Sequence, residues 1–440
     1  MSLPAYPIYK ESGAQWIGKI PIHWQSVALK RNFKLVGGST PKSDHPAYWD
    51  GDIVWVTPSD LSKLNGFEID AARRNITSEG LKSCATTIVP EGSVILSTRA
   101  PIGSLAIASK QLCTNQGCKS LVPTEGQESR FLAYTLSSAT SELNTRGKGT
   151  TFLELSGEEL GALKVPCPGK HEQQAIVTFL DHETAKIDAL ISGQERLVGL
   201  LREKRQAVVK HAVTKGLDST APMKRSGLEW SDETPSHWTV CLLKRAFQSI
   251  DYGISDALEV DGEVAILRMG NIQNGKVILN DLKFVDHVDS ELLLKKGDLL
   301  YNRTNSIDLV GKVGMFNGGE IDGKTISFAS YLVRLRVVSD CVPEFFSYLL
   351  NTDGILGLVR SSAFVAIGQC NLNPTRYGEI MVAVPPRSEQ VAVVKYLDVE
   401  TSSIDKLAEE SLQAIALLRE RRSAIISAAV TGKIDVRGLA

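Results

Sequence analysis

Two groups of polar side chains stand in glycine-punctuated loops and carry the chemistry of the chain. The first is Thr40, Lys42, Arg99, Asn115, Gln116, Arg146, Lys148 and Thr151; the second is Arg268, Asn271, Arg303, Asn305, Gln369 and Asn371. Arginine presents a fork of N–H donors that matches guanine O6 and N7, and the amides of Asn and Gln match adenine N6 and N7. These residues are candidate readers of base edges. The same side chains also serve as loop hydrogen bonds or phosphate contacts, and the sequence leaves those readings open for each of them.

Catalytic constellations are missing. An adenine methyltransferase needs a [DN]PP[YF] loop to hold a flipped base, together with a glycine-rich cofactor turn. Asn373-Pro374-Thr375 comes nearest and lacks the second proline and the aromatic residue. No HExxH or GxSxG occurs. Gly318-Gly319-Glu320-Ile321-Asp322-Gly323-Lys324-Thr325 does fit GxxxxGK[ST]. That phosphate loop needs a following helix, whereas Ile326 onward reads as a strand and Glu320 and Asp322 would repel phosphate. The segment is expected to be a surface hairpin without ATP.

The loops belong to a repeated framework. Ser12-Gly13, Trp16, Pro21, His23-Trp24, Lys30-Arg31 and Phe33 recur as Ser226-Gly227, Trp230, Pro235, His237-Trp238, Lys244-Arg245 and Phe247, at an offset of 214 (226 − 12). A second block, Glu172-Gln173, Leu180-Asp181, Glu183-Thr184 and Ile187-Asp188, recurs as Glu389-Gln390, Leu397-Asp398, Glu400-Thr401 and Ile404-Asp405, at an offset of 217 (389 − 172). Trp24 and Trp238 read as core anchors. Between the blocks lie short β-branched runs such as Ile53 to Val56, Ser93 to Leu96 and Leu332 to Leu335, bounded by turn residues. The fold class is therefore α/β (α+β): two mixed α/β regions, 1–165 and 222–384, alternating with helical spacers, 166–221 and 385–440. The two regions resemble each other only at anchors such as Gly92 to Arg99 and Gly297 to Arg303, each a strand that ends in Arg.

The helical blocks follow Pro168 and Pro385-Pro386 and carry a heptad-like apolar pattern. One phase runs through Ile176, Leu180, Ile187, Leu190, Leu197, Leu201 and Val208, and again through Val393, Leu397, Ile404, Leu407, Ala414, Leu418 and Ile425. Polar residues interrupt it at Glu183, Gln194 and Lys204, and at Glu400, Ser411 and Arg421. Parallel helices would set Glu183 against Glu400 and Lys204 against Arg421. An antiparallel pair centred on Gln194 and Ser411 sets Glu183 against Arg421 and Lys204 against Glu400, so the antiparallel coiled coil is predicted, with a pseudo-two-fold internal repeat. Asp181 and Asp398 are expected to mark local breaks or caps, because Asp is poor inside a helix. About 35 helical residues at roughly 1.5 Å each would make a ruler on the order of 50 Å long.

Composition bounds the rest. The chain has 440 residues, 43% hydrophobic and 22% charged, as ordinary globular proteins do. No apolar run is long enough to span a bilayer and Met1 to Lys10 lacks the pattern of a signal peptide. Seven cysteines without metal-ligand spacing read as reduced cytoplasmic thiols. Net charge is −1, unlike a lone nucleic-acid binder. Residues 1–165 hold 17 basic and 15 acidic side chains, and residues 223–384 hold 16 and 20.

Across its length the chain resembles the specificity subunits of type I restriction–modification systems. The resemblance rests on Gly13…Trp16…Pro21…His23-Trp24 and its copy, on Gly38-Ser39-Thr40-Pro41, Tyr48-Trp49, Gly51-Asp52-Ile53, Arg99-Ala100-Pro101-Ile102-Gly103 and Asn115-Gln116-Gly117, and on Pro386 to Gln390. The first helix start departs slightly, with Pro168 three residues before His171. The resemblance implies a non-catalytic subunit with two target-recognition domains that read a bipartite, asymmetric double-stranded DNA site. It also implies helices that set the gap and hold two modification (methyltransferase) subunits, joined by restriction (translocase/nuclease) subunits. S-adenosylmethionine, ATP and Mg2+ would then sit on the partners, with no cofactor on this chain. An enzyme with divergent motifs, and a coiled-coil scaffold that binds only proteins, are the competing classes.

Overall fold

The computed structural model describes residues 4–438 except 65, 150–152, 320, 322 and 367–368. The chain forms two units, residues 1–194 with 413–440 and residues 195–412. In the first, the run Val94–Thr98 is buried at every residue and so has no solvent face. It occupies the centre of a five-stranded sheet in the order Phe33–Gly37, Cys118–Pro123, Val94–Thr98, Ile102–Ala108, Glu68–Ile69. The second unit repeats this. Leu299–Asn302, also buried throughout, is third in a six-stranded sheet, after Phe247–Tyr252 and Leu332–Val337 and before Val313–Met315.

Each unit carries a second, three-stranded sheet. Trp49–Val56 lies between Cys113–Thr114 and Asn75–Ile76; Val264–Leu267 lies between Thr325–Phe328 and Lys283–Val285. Within them Thr114 pairs in parallel with Val56, and Phe328 with Leu267. Thr325–Phe328 is a strand, so the segment Gly318 to Thr325 leads into no helix whose N-terminus could cradle a phosphate.

The spacers are unbroken helices, Lys170–Lys215 with 46 residues and Arg387–Val430 with 44. The expected breaks at Asp181 and Asp398 do not occur. Both carboxylates accept hydrogen bonds from tyrosines of their globular regions, Tyr134 at 2.6 Å and Tyr348 at 2.8 Å, so neither competes for its own backbone. Burial also pushes each phenol up to about 12, with the carboxylate adding to the shift, so both stay protonated donors.

The helices pair antiparallel inside each unit. In unit 1, Ile176, Leu180 and Ile187 share a core with Ile425, Ile426 and Ala429; in unit 2, Val209, Ala212 and Val213 share one with Val393, Val394 and Leu397. The seam differs in phase from the sequence expectation. Buried or half-buried positions run 180, 184, 187, 191, 194, 198, 201, 205, 208, and 217 further on 397, 401, 404, 408, 411, 415, 418, 422, 425. Leu190, Leu197 and Leu407 face solvent instead. The cause is that Leu190-Ile191 and Leu197-Val198 are adjacent apolar pairs, and periodicity alone does not choose between 3,4 and 4,3 stepping.

Consequently Glu183, Lys204, Glu400 and Arg421 lie beside the seam. Lys204 and Arg421 are exposed, Glu183 and Glu400 half-buried. Glu183 pairs with Lys186 at 2.8 Å, which chiefly holds its carboxyl below the usual range, and the charge of Arg421 adds to this. Gln194 is half-buried and Ser411 buried, both within the seam. Inside each unit an ion pair crosses between the helices, Arg205 to Asp405 and Arg422 to Asp188, each at 2.8 Å and equivalent under the 217 offset. Both are partly exposed, so Arg205→Ala or Arg422→Ala is expected to cost about 0.2–1 kcal/mol. A urea double-mutant cycle with Asp405→Ala or Asp188→Ala should return that coupling, and a value of zero would leave the pairs ornamental.

Candidate nucleic-acid interface

The residues repeated between halves seat each globular region on the start of its long helix. Lys164–Cys167 pairs with Gln25–Ala28, and Met381–Val384 with Thr239–Leu242. The Glu of each Glu-Gln pair receives a histidine, His23 to Glu172 at 3.0 Å and His237 to Glu389 at 2.7 Å. The Gln ties three segments. Gln173 Nε2 donates to Pro168 O while its Oε1 accepts Glu128 N–H; Gln390 does the same with Pro385 O and Val342 N–H. Trp16 donates to Lys164 O at 3.1 Å and Trp230 to Met381 O at 3.2 Å. Trp24 and Trp238 are fully buried, in the role of anchors. A buried amide paired through both its nitrogen and its oxygen fixes geometry because a shift would leave it unpaired.

Above this base, both units build the same loop frame from different residues. Arg99 and Arg303 each follow the central strand, and the loop that closes on them is held alike: Thr98 N–H donates to Gly117 O, and Arg303 N–H to Tyr331 O. Asn115 N–H donates to Val56 O, and Ala329 N–H to Leu267 O. Gly38 lies so close to the carbonyls of Thr114 and Asn115 that a Cβ would overlap them; Gly253 stands in the same relation to those of Phe328 and Ala329. After Val56, Thr57 N–H donates to Asp60 at 2.8 Å; after Leu267, Arg268 N–H donates to Asn271 at 2.8 Å. At equivalent backbone places the first unit therefore offers Thr57, Asn115 and Gln116, and the second Arg268, Ala329 and Ser330.

In unit 1 the structure gathers Thr40, Arg99, Asn115 and Gln116. Thr40 donates to Gln116 Oε1, and a Cβ on Gly117 would sit 3.1 Å from Arg99 Nε and 3.3 Å from Asn115 Oδ1. Asn115 also accepts Gly117 N–H at 2.9 Å, which shapes the turn. Lys42 is exposed on the strand-connecting loop. Arg146 and Lys148 form a second cluster, held by Glu142 and Glu159; Lys148 meets Glu159 at 2.8 Å, which raises the ammonium and lowers the carboxyl. Arg99 and Glu154 approach to 4.0 Å, and Glu154 is bridged by backbone to Lys148, so the clusters adjoin. Thr151 lies outside the described residues.

In unit 2 the backbones of Arg303, Asn305, Gln369 and Asn371 come together. Thr304–Asn305 pairs with Gln369–Asn371, with Asn305 opposite Cys370. Arg303 lies over the Tyr252 ring at 5.0 Å and donates to Ser330 O at 3.2 Å; its buried Nε has no hydrogen-bond partner among the described residues. Arg268 bonds Asp281 at 2.9 Å. Asn271 is 3% exposed and spends its amide on the Ile278 and Asn280 carbonyls, so its local work is structural. Sequence reasoning missed Gly253, Thr57, Tyr252 and Tyr331, and also Arg74, which stacks 3.7 Å over Trp49. Only Arg73-Arg74 carried a visible signal, as a basic pair in a loop.

Among the described residues no helix is long and apolar enough to cross a membrane, and no group of His, Cys, Asp or Glu is placed to hold a metal ion. The family described as the type I restriction modification DNA specificity domain matches residues 21–196. The MjaIX specificity subunit of Methanocaldococcus jannaschii is 35% identical over 230 residues, 51% of this chain and 51% of that protein. The EcoKI specificity subunit of Escherichia coli K12 is 22% identical over 96% of this chain and 91% of its own length. In solved structures, a chain from work on assembly and conformational transition of the type I R-M system has the same fold, with a TM-score of 0.73 at 16% identity over 93% of this chain and 98% of that one. One frame is repeated in both units, and over 96% of its length the chain is similar to specificity subunits of type I restriction–modification systems, whose DNA specificity domain its residues 21–196 match.

Proposed function

We propose that this chain reads a bipartite DNA target, one half per globular unit, and positions the modification and restriction subunits of its complex without chemistry of its own. The observation that carries the reading is the shared loop frame. Backbone hydrogen bonds and close glycine approaches are kept between units while the side chains at the rim change. Such an arrangement suits two surfaces with different base preferences. A protein-binding scaffold would have no use for it. Reading DNA puts the chain in the cytoplasm of the host cell, and S-adenosylmethionine, ATP and Mg2+ belong to the partners in this reading.

Partner docking has its own support. Leu190 and Leu417 are exposed in unit 1, and their 217-offset equivalents Leu407 and Leu200 in unit 2. Each unit thus offers the same two leucines on its helices, which suits one modification subunit per unit.

The test is a methylation-site map of host DNA after co-expression with the modification subunit. Exchange of residues 34–165 for those of another specificity subunit is expected to change one half of a split motif and leave the other. A motif that changed in both halves, or an assembled complex with no motif, would overturn the reading. With a net charge of −1, the isolated chain is expected to bind DNA weakly, with a log K against log salt slope shallower than that of the full complex. Fluorescence anisotropy over a salt series checks this.

A further inference from the structure

The two His–Glu pairs are alike, but their surroundings are not. In unit 1 the space beside the pair is filled by Tyr6, 3% exposed. Its hydroxyl donates to Glu172 Oε1 at 2.7 Å, and its ring lies 5.7 Å from His23 and 5.8 Å from Trp24. Arg437 closes the site, 4.9 Å over the Tyr6 ring, anchored by Asp435 at 2.6 Å.

Unit 2 keeps the frame and lacks the plug. Asp218 matches Asp435, since each accepts the backbone N–H two residues on, from Thr220 and from Arg437. The position of Arg437 is therefore taken by the short Thr220, and Leu217 to Pro222 contains no aromatic residue to stand for Tyr6. What remains is a cavity of about 290 Å³ lined by Gly216, Asp218, Pro235, His237, Glu389 and Val393. The carboxylate of Glu389 binds His237 and Trp238 Nε1, at 2.7 and 2.9 Å, and a carboxylate has about four acceptor sites. In unit 1, where the phenol is present, the matching Trp24 Nε1 has no hydrogen-bond partner among the described residues. The filled and open sites differ in whether the glutamate serves the indole or a phenol.

We propose that this cavity is a receptor for a tyrosine side chain presented by another polypeptide, seated as Tyr6 is seated in unit 1. The chain itself supplies the template for the occupant: an apolar ring against the proline and histidine, with a hydroxyl donated to Glu389. The proposal is independent of what the loops read.

The test uses the full-length chain with 15N-labelled tryptophan, the Trp238 indole signal being assigned from Trp238→Phe. Titration with N-acetyl-tyrosinamide is expected to move the Trp238 indole N–H and to saturate. N-acetyl-phenylalaninamide, without the hydroxyl bond to a charged acceptor, should bind about tenfold or more weakly. Ala392→Phe at the exposed rim should abolish the shift, and Tyr6→Ala should add a second, similar site in unit 1. No movement of Trp238, equal affinity for the phenylalanine analogue, or undiminished binding to Ala392→Phe would overturn the assignment. Tighter binding of free tyrosine than of the capped form would overturn the polypeptide source.

Discussion

Trp238→Ala is expected to destabilise unit 2 by about 3–5 kcal/mol, a large fraction of the roughly 5–15 kcal/mol that holds an ordinary domain folded. The indole is 1% exposed and joins the largest core cluster, where it meets the end of one long helix and the start of the other. Gly216 ends the first helix in a left-handed conformation, with φ +74, so close to the indole that a Cβ would lie 3.2 Å from it. Trp24 plays the same part in unit 1 against Gly432, φ +72. The two differ in their polar edge. Trp238 Nε1 bonds Glu389, and Trp24 Nε1 has no hydrogen-bond partner among the described residues. Trp238→Phe should therefore cost more than Trp24→Phe, by about 1.5–3 kcal/mol, the value of a hydrogen bond to a charged group. Urea unfolding followed by far-UV circular dichroism measures both. Equal costs would mean that Glu389 relaxes to other partners.

Gly38→Ala should disable one half of the target while sparing the other. The added Cβ would overlap the carbonyls of Thr114 and Asn115, which are backbone and cannot rotate away. Relief requires opening the Ser39 N–H to Thr114 O bond, and Trp55 Nε1 also holds Ser39 O. Thr40 and its partner Gln116 would move with that segment. Overpacking of this kind costs about 1–3 kcal/mol in stability. Loss of a positioned base contact removes about 1–3 kcal/mol of discrimination, roughly tenfold to hundredfold. Gly253→Ala should damage the other half in the same way. A methylation-site map reads both outcomes, and a change at the same half for the two variants would contradict the equivalence of the frames.

Much of this was legible in the sequence because identical residues do identical work. The Gln, Asp and Thr of each helix block bind the same kinds of partner in both units, and the Glu of each binds its histidine. The loop frame was not legible, for the opposite reason. It is made by backbone groups, so Thr57 and Arg268, or Gly117 and Tyr331, hold equivalent places with no letter in common. Gly253 is the clearest case, lying between Tyr252 and Ile254 where Gly38 lies between Gly37 and Ser39. The seam phase was hidden by adjacent apolar pairs, and only the packed partner helix resolves which member turns inward.

The division of the helices between units also has a consequence for synthesis. Unit 2 is one continuous stretch, residues 195–412, whereas unit 1 needs residues 413–440 to cover Ile176, Leu180 and Ile187. A ribosome adds about 5–20 residues each second. The globular region made first must therefore wait many seconds, its apolar helix face uncovered, while the region made second can close as soon as it emerges. Nascent unit 1 is the segment most in need of a chaperone, and unit 2, though later in sequence, is the first to finish.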